Sequence, residues 1–97
     1  MSNRQLEFDL FAEIVLEHIE KYAVAQYGDA PDDPVQSWTP AQCMDSVKRY
    51  ADRIETGRRG RLETIRDMVK IAHFACLAFG KLNPTEEEIV KIIKGEV

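Results

Sequence analysis

Cysteine, long apolar runs and targeting signals are scarce or missing in this 97-residue chain. The two cysteines, Cys43 and Cys76, are far apart and belong to no CxxC or Cys/His cluster, so reduced thiols are expected rather than a zinc site. No run of about 18 apolar residues is present, which argues against a membrane span. The first residues lack the basic segment and apolar run of a signal peptide. A cytoplasmic location is therefore predicted.

Common catalytic motifs are missing as well. The sequence contains no P-loop, no nucleophile elbow and no HExxH motif. These absences argue against acyl transfer and zinc-dependent hydrolysis. No segment shows the strict alternation of apolar and polar residues that is typical of a half-buried strand.

Apolar residues instead recur at three- and four-residue steps, which is the period of an α-helix. Helices are predicted over about residues 3–26, 40–56, 61–79 and 85–94. Thr39 and Gln42 form a capping box around Pro40, and glycines 28, 57 and 80 are expected to end the first three helices. The prediction is one all-α domain over residues 1–97, a bundle of three main helices and a short C-terminal helix.

Each helix has an expected inner face. On the first helix the face includes Leu6, Leu10, Phe11, Ile14, Val15, Ile19, Tyr22 and Ala23. On the second it comprises Met44, Val47, Tyr50, Ala51 and Ile54. On the third a central stripe comprises Leu62, Ile65, Val69, Ala72, Cys76 and Phe79, and Met68, Ile71, Ala75 and Ala78 widen it. The fourth helix is short and apolar, so it is expected to pack on the bundle or on a second subunit. Because the core is small, a homodimer is predicted.

Charge is distributed unevenly along the chain. Residues 1–47 carry nine acidic and two basic side chains, whereas residues 48–70 carry eight basic and four acidic ones. The net charge of the whole chain is −4, so general nucleic-acid binding is not expected. A local basic region in an acidic protein suits a small anion, an acidic partner, or pairing with the acidic first helix.

The basic region is densest at the predicted start of the third helix. Arg58, Arg59 and Arg61 lie there, where free backbone N–H groups also favour an anion. Arginine forks bind phosphate well, so a phosphate-bearing ligand such as a nucleotide is predicted, with Arg66, His73 and Trp38 lining the site. The alternatives are that the arginines are solvated or pair with acids of the first helix, that His73 is a boundary residue, and that Trp38 fastens the preceding loop to the core.

Carboxylates form a second candidate site. Glu13, Glu17 and Glu20 share one face of the first helix, and Glu63 and Asp67 lie one turn apart on the third. If these helices pack side by side, Glu17, Glu20, Glu63 and Asp67 are candidate ligands for Mg²⁺, which prefers oxygen. The alternative is that they form ordinary solvated helix faces.

The order of these features resembles a known family. "QYGD", Trp38, "TPAQCMDSVKRYADRI" and "ETIRDMVKIAHFACLAFGKL" resemble the small helical nucleotide-modification-associated domains of phages and prophages. The resemblance covers residues 17–82. Its matching positions are Tyr27, Gly28, Trp38, Asp45, Arg53, Ile54, Glu63, Asp67 and His73.

Such domains are similar in helical build to the MazG-type nucleotide pyrophosphohydrolases, which hold Mg²⁺ with an ExxE and an ExxD pair. Glu17 and Glu20 match the first pair, whereas Glu63 and Asp67 are one residue farther apart than the second. That extra residue rotates Asp67 by about 100° around the helix. The resemblance implies a nucleotide-binding protein, with Mg²⁺-dependent hydrolysis if the metal ligands converge. The alternative function is a non-enzymatic interaction protein, such as an acidic phage inhibitor or an accessory subunit that binds a host protein.

Overall fold

The computed structural model describes residues 1–24 and 34–97. Within these ranges the chain forms four α-helices and no strand: α1 (Asn3–His18), α2 (Pro40–Thr56), α3 (Arg61–Leu82) and α4 (Glu86–Ile93). α1 continues directly into a π-helical turn, Ile19–Val24, and a 3₁₀ turn, Pro34–Ser37, precedes α2. The predicted all-α class, with three main helices and a short C-terminal one, is confirmed. The predicted end of the first helix at Gln26 and Gly28 lies outside the described residues.

Local capping chemistry sets the bounds of α2. The Thr39 side chain accepts a hydrogen bond from the Gln42 backbone at 3.2 Å, and the Gln42 side chain accepts one from the Thr39 backbone at 2.8 Å. Gly57 ends the helix with a φ of 64°, a left-handed conformation that residues with a Cβ adopt only at a cost. The predicted bounds of this helix are confirmed.

α3 is longer than predicted. It passes through Gly80 and ends at Leu82, where Asn83 adopts a φ of 49°. Gly80 does not stop the helix because a glycine in a helix interior costs only about 1 kcal/mol relative to alanine. Asn83 tolerates the left-handed conformation, and Pro84 follows it. α4 then begins at a capping box between Thr85 and Glu88, as its sequence predicted.

The core lies between α2 and α3, which form an antiparallel hairpin across the short connection 57–60. Phe74 stacks on both Tyr50 and Trp38, with ring centroids 5.9 and 6.2 Å apart. Near the open end of the hairpin, Lys81 Nζ donates a hydrogen bond to the Gln36 carbonyl at 3.1 Å. The buried residues of the described ranges are Cys43, Ser46, Tyr50, Asp67, Val69 and Ala78.

Three predicted inner faces differ from the structure. α1 contributes no buried residue. On α2, Met44 and Ala51 are exposed, whereas Cys43 and Ser46 are buried. On α3, Leu62 is 77% exposed and Phe79 is 52% exposed. α3 is apolar around much of its circumference, so its period alone did not identify the side that packs on α2; that side carries Phe74 and Ala78. Both thiols are free, and Cys76 is exposed.

Candidate functional site

The antiparallel hairpin concentrates the basic residues at its closed end. The second half of α2 and the first half of α3 lie side by side there, so the hairpin tip, defined as residues 53–66, carries five arginines. Four of them are exposed: Arg58, Arg59, Arg61 and Arg66. In the ranges 1–24 and 34–97 the only ion pair joins Lys21 and Glu17, at 2.8 Å. The predicted pairing of these arginines with acids of the first helix is therefore not seen in the described part of the chain.

The first turn of α3 follows Gly60, whose φ is 90°, and no side chain caps the helix start. Glu63 lies in this turn, and its Oε2 atom would be 3.4 Å from a Cβ placed on Gly60. A carboxylate here is favourable because the first N–H groups carry partial positive charge. Glu63 therefore already meets part of the preference for an anion that the arginines were predicted to serve.

Tyr50 is surrounded by cations. The Cζ atoms of Arg49 and Arg53 lie 5.3 and 5.2 Å from its ring centroid, and Lys70 Nζ of α3 lies at 5.2 Å. Such contacts contribute roughly 0.5–2 kcal/mol each. Sequence reasoning missed this cluster, although Arg49 and Arg53 lie within one turn of Tyr50. Lys70 joins them only through the register of the hairpin.

The predicted magnesium ligands are dispersed. Glu17 is exposed and pairs with Lys21, and Glu20 is exposed. Glu63 is half-buried, and Asp67 is 1% exposed inside the hairpin. Among the described residues, no three His, Cys, Asp or Glu side chains are grouped so that they could hold a metal ion. The structure thus does not assemble the four acids as one ligand set, and Mg²⁺ binding stays a prediction.

Asp67 is unusual because its Oδ1 atom is buried and has no hydrogen-bond partner. A buried polar atom without a partner costs about 1–3 kcal/mol, and more if it is charged. In the antiparallel register, where Lys70 lies over Tyr50, Asp67 is one turn farther toward the hairpin tip. The carboxylate is thus enclosed in the hairpin rather than presented to a ligand from solvent.

Two histidines mark the contact between α1 and α3. Burial, and then the neighbouring His18, lower the pKa of His73. Burial, and then the positive charges of Lys70 and Arg66, lower the pKa of His18. The end of α1 therefore lies beside the basic first half of α3.

His73 is half-buried against Phe74, and Trp38 is half-buried and stacked on the same ring. The Trp38 stacking is the arrangement expected if this residue fastens the segment before α2 to the core.

α1 carries an unpartnered apolar surface. Apolar side chains occur on nearly every side of this helix, and five of them are exposed: Leu6, Phe8, Leu10, Ile14 and Leu16. Leu6, Leu10 and Ile14 are spaced at four-residue steps and form one exposed row, here called the α1 stripe. Glu13 and Glu17 lie beside it. Among the described residues no helix is both long and apolar enough to cross a bilayer.

Comparisons with known proteins do not assign the chain to a family. No family matches the chain, and no curated protein and no solved structure has significant similarity to it. The resemblance to the phage nucleotide-modification-associated domains and to the MazG type accordingly stays a prediction.

Proposed function

We propose that this chain is a non-enzymatic binding protein that uses α1 to bind another protein. The observation that carries the proposal is that α1, a 16-residue helix, has no buried residue although eight of its residues are apolar and are distributed around the helix. A helix with this composition is normally enclosed by other protein. Here the helices of the same chain enclose only part of it.

The size of the exposed surface supports the proposal. A compact monomer of 11.1 kDa is expected to expose about 5,700 Å². This chain exposes 7815 Å². Its radius of gyration is 15.0 Å, whereas a compact domain of this length has about 12.5 Å. The excess surface, about 2,100 Å², is on the scale that stable protein interfaces bury.

The α1 stripe indicates how a partner would bind. Leu6, Leu10 and Ile14 have the spacing of the anchors that a helix inserts into an apolar groove. Glu13 and Glu17 would then face the rim of the groove, so a partner with a basic rim is favoured. This description fits an acidic inhibitor or an accessory subunit of a larger complex.

The test compares captured proteins between variants of the full chain. A variant with Leu6, Leu10 and Ile14 all changed to Ser should fold, because none of the three is buried. We expect it to lose a partner that the wild type captures from its native cells and that binds the wild type directly after purification. Ile92→Ser with Ile93→Ser on α4 is the matched control, since these residues are also apolar and exposed. Identical captured proteins for all three chains would contradict the proposal.

A second candidate function is the binding of a phosphate-bearing anion, such as a nucleotide, at the hairpin tip. It is favoured by four exposed arginines without ion pairs among the described residues and by the uncapped start of α3. A panel of nucleoside phosphates, with and without Mg²⁺, tests it by thermal shift. A ligand at a hundredfold excess over its Kd should stabilise the protein by about 2.7 kcal/mol. The shift should disappear in Arg59→Ala. No shift with any nucleotide would reject this function, and a turnover assay is warranted only if one binds.

A further inference from the structure

α3 carries a second unpartnered surface, on a side that does not pack on α2. Its apolar residues are spaced alternately by three and four positions, and we call this row the α3 seam. The seam comprises Ile65, Met68, Ala72, Ala75, Phe79 and Leu82. All of them are exposed except Ala72, which is half-buried. Five of these six residues belong to the inner face that the sequence predicted: Ile65, Ala72 and Phe79 to its central stripe, and Met68 and Ala75 to the residues that widen it.

Alternating steps of three and four are the pattern of a coiled-coil contact. Such a row packs against another helix, with each side chain inserted among four side chains of the partner. The two alanines lie at the middle of the seam, and larger side chains lie at both ends. Small central residues allow two helix axes to approach closely. The seam is therefore shaped to receive one helix along its whole length.

We propose that this helix is α3 of a second copy of the chain, aligned antiparallel. In that register Ala72 faces Ala75 of the second copy, Met68 faces its Phe79, and Ile65 faces its Leu82. Large side chains then meet at the two ends, and small ones meet at the centre. The surface is complementary to itself, which is the requirement of a two-fold symmetric dimer.

The charges around α3 favour the antiparallel orientation. Arg58, Arg59 and Arg61 lie at its start, and the acidic run 86–88 opens α4 four residues after its end. An antiparallel pair brings the arginines at the start of each α3 near the end of the other, where the three glutamates of the run 86–88 outnumber Lys81. A parallel pair would place the two sets of arginines side by side, where like charges repel.

The exposed surface of one chain is large enough for this interface and for a second one at α1. The excess of about 2,100 Å² per chain is more than twice the roughly 800 Å² that each partner buries in a standard interface. The α1 stripe and the α3 seam are different surfaces on different helices. The dimer therefore goes beyond the proposed function and does not depend on it.

Disulfide crosslinking of the full chain tests both contact and orientation. In a Cys76→Ser background, Met68→Cys combined with Phe79→Cys should yield a covalent dimer on mild oxidation. The two new thiols of one chain are eleven residues apart along α3, too far to join each other. Each single variant should stay uncrosslinked. Efficient crosslinking of either single variant would overturn the antiparallel orientation.

Light scattering during size-exclusion chromatography tests the interface without cysteines. The wild type should have twice the mass of the 11.1 kDa chain. Ala75→Glu should halve that mass by placing carboxylates at the centre of the seam. Ala51→Glu, at an exposed alanine of α2, is the matched control and should remain dimeric. A wild type that is monomeric at all concentrations, or a dimer that Ala75→Glu leaves intact, would overturn the proposal.

Discussion

Replacing the buried carboxylate of Asp67 should make the protein more stable. Asp67 is 1% exposed, and its Oδ1 atom has no hydrogen-bond partner. Asp67→Asn keeps the shape of the side chain and removes the negative charge of the ionised form. The helix propensities of the two residues are similar, so the change acts mainly through burial.

The expected gain is the cost of burying a carboxyl group whose Oδ1 atom has no partner, minus the smaller cost of a neutral amide in the same place. A buried unsatisfied group costs about 1–3 kcal/mol, and a charged one costs more. We therefore expect Asp67→Asn to raise the free energy of unfolding by about 1–2 kcal/mol. For a domain of this length, each kcal/mol corresponds to about 4–8 °C in Tm.

Urea and thermal unfolding at one fixed protein concentration would measure this gain, since a dimer's stability depends on concentration. Asp52→Asn is the matched control, because Asp52 is an exposed aspartate within α2. It should change stability by less than about 0.5 kcal/mol. A loss of more than about 1 kcal/mol in Asp67→Asn would refute the reasoning, since it would mean that the carboxylate has a stabilising partner. If Mg²⁺ also stabilised the wild type but not Asp67→Asn, the predicted metal role of Asp67 would gain support.

Two further predictions concern pH and the glycines. Because folding lowers the pKa of His73, the unfolded chain takes up the proton first as the pH falls. The stability that depends on neutral His73 is therefore fully present above about pH 6.5 and is lost as the pH falls below it. His73→Gln should show a smaller drop in urea midpoint between pH 7.5 and 5 than the wild type, and equal drops would contradict this role. Gly57→Ala should destabilise the protein by about 1–2 kcal/mol, because the φ of Gly57 is 64°. Gly80→Ala should instead stabilise it by about 0.5–1 kcal/mol, because no atom lies within 4 Å of the added Cβ. Urea unfolding measures both changes, and effects of the same sign at the two glycines would contradict the assigned helix end.

The local features of the fold were predictable from the sequence. Thr39 and Gln42 set the start of α2, and Gly57 set its end, because caps depend on residues three or four positions apart. The concentration of arginines between residues 53 and 66 was also predictable, because it is a property of the linear sequence. The end of α3 was predicted wrongly at Gly80, where the local penalty for glycine is small compared with the continuation of the helix to Asn83.

Tertiary structure decided which faces are buried. α3 is apolar on several sides, so its sequence is compatible with more than one packing direction. In the hairpin, the side of α3 that packs on α2 is the one that carries Asp67 and Phe74. The cation cluster around Tyr50 and the neighbouring His18 and His73 arise from contacts between residues far apart in the chain. The helical period of the sequence indicates that a helix has an apolar face. Which neighbour covers that face depends on the register of the other helices, and no local sequence pattern determines that register.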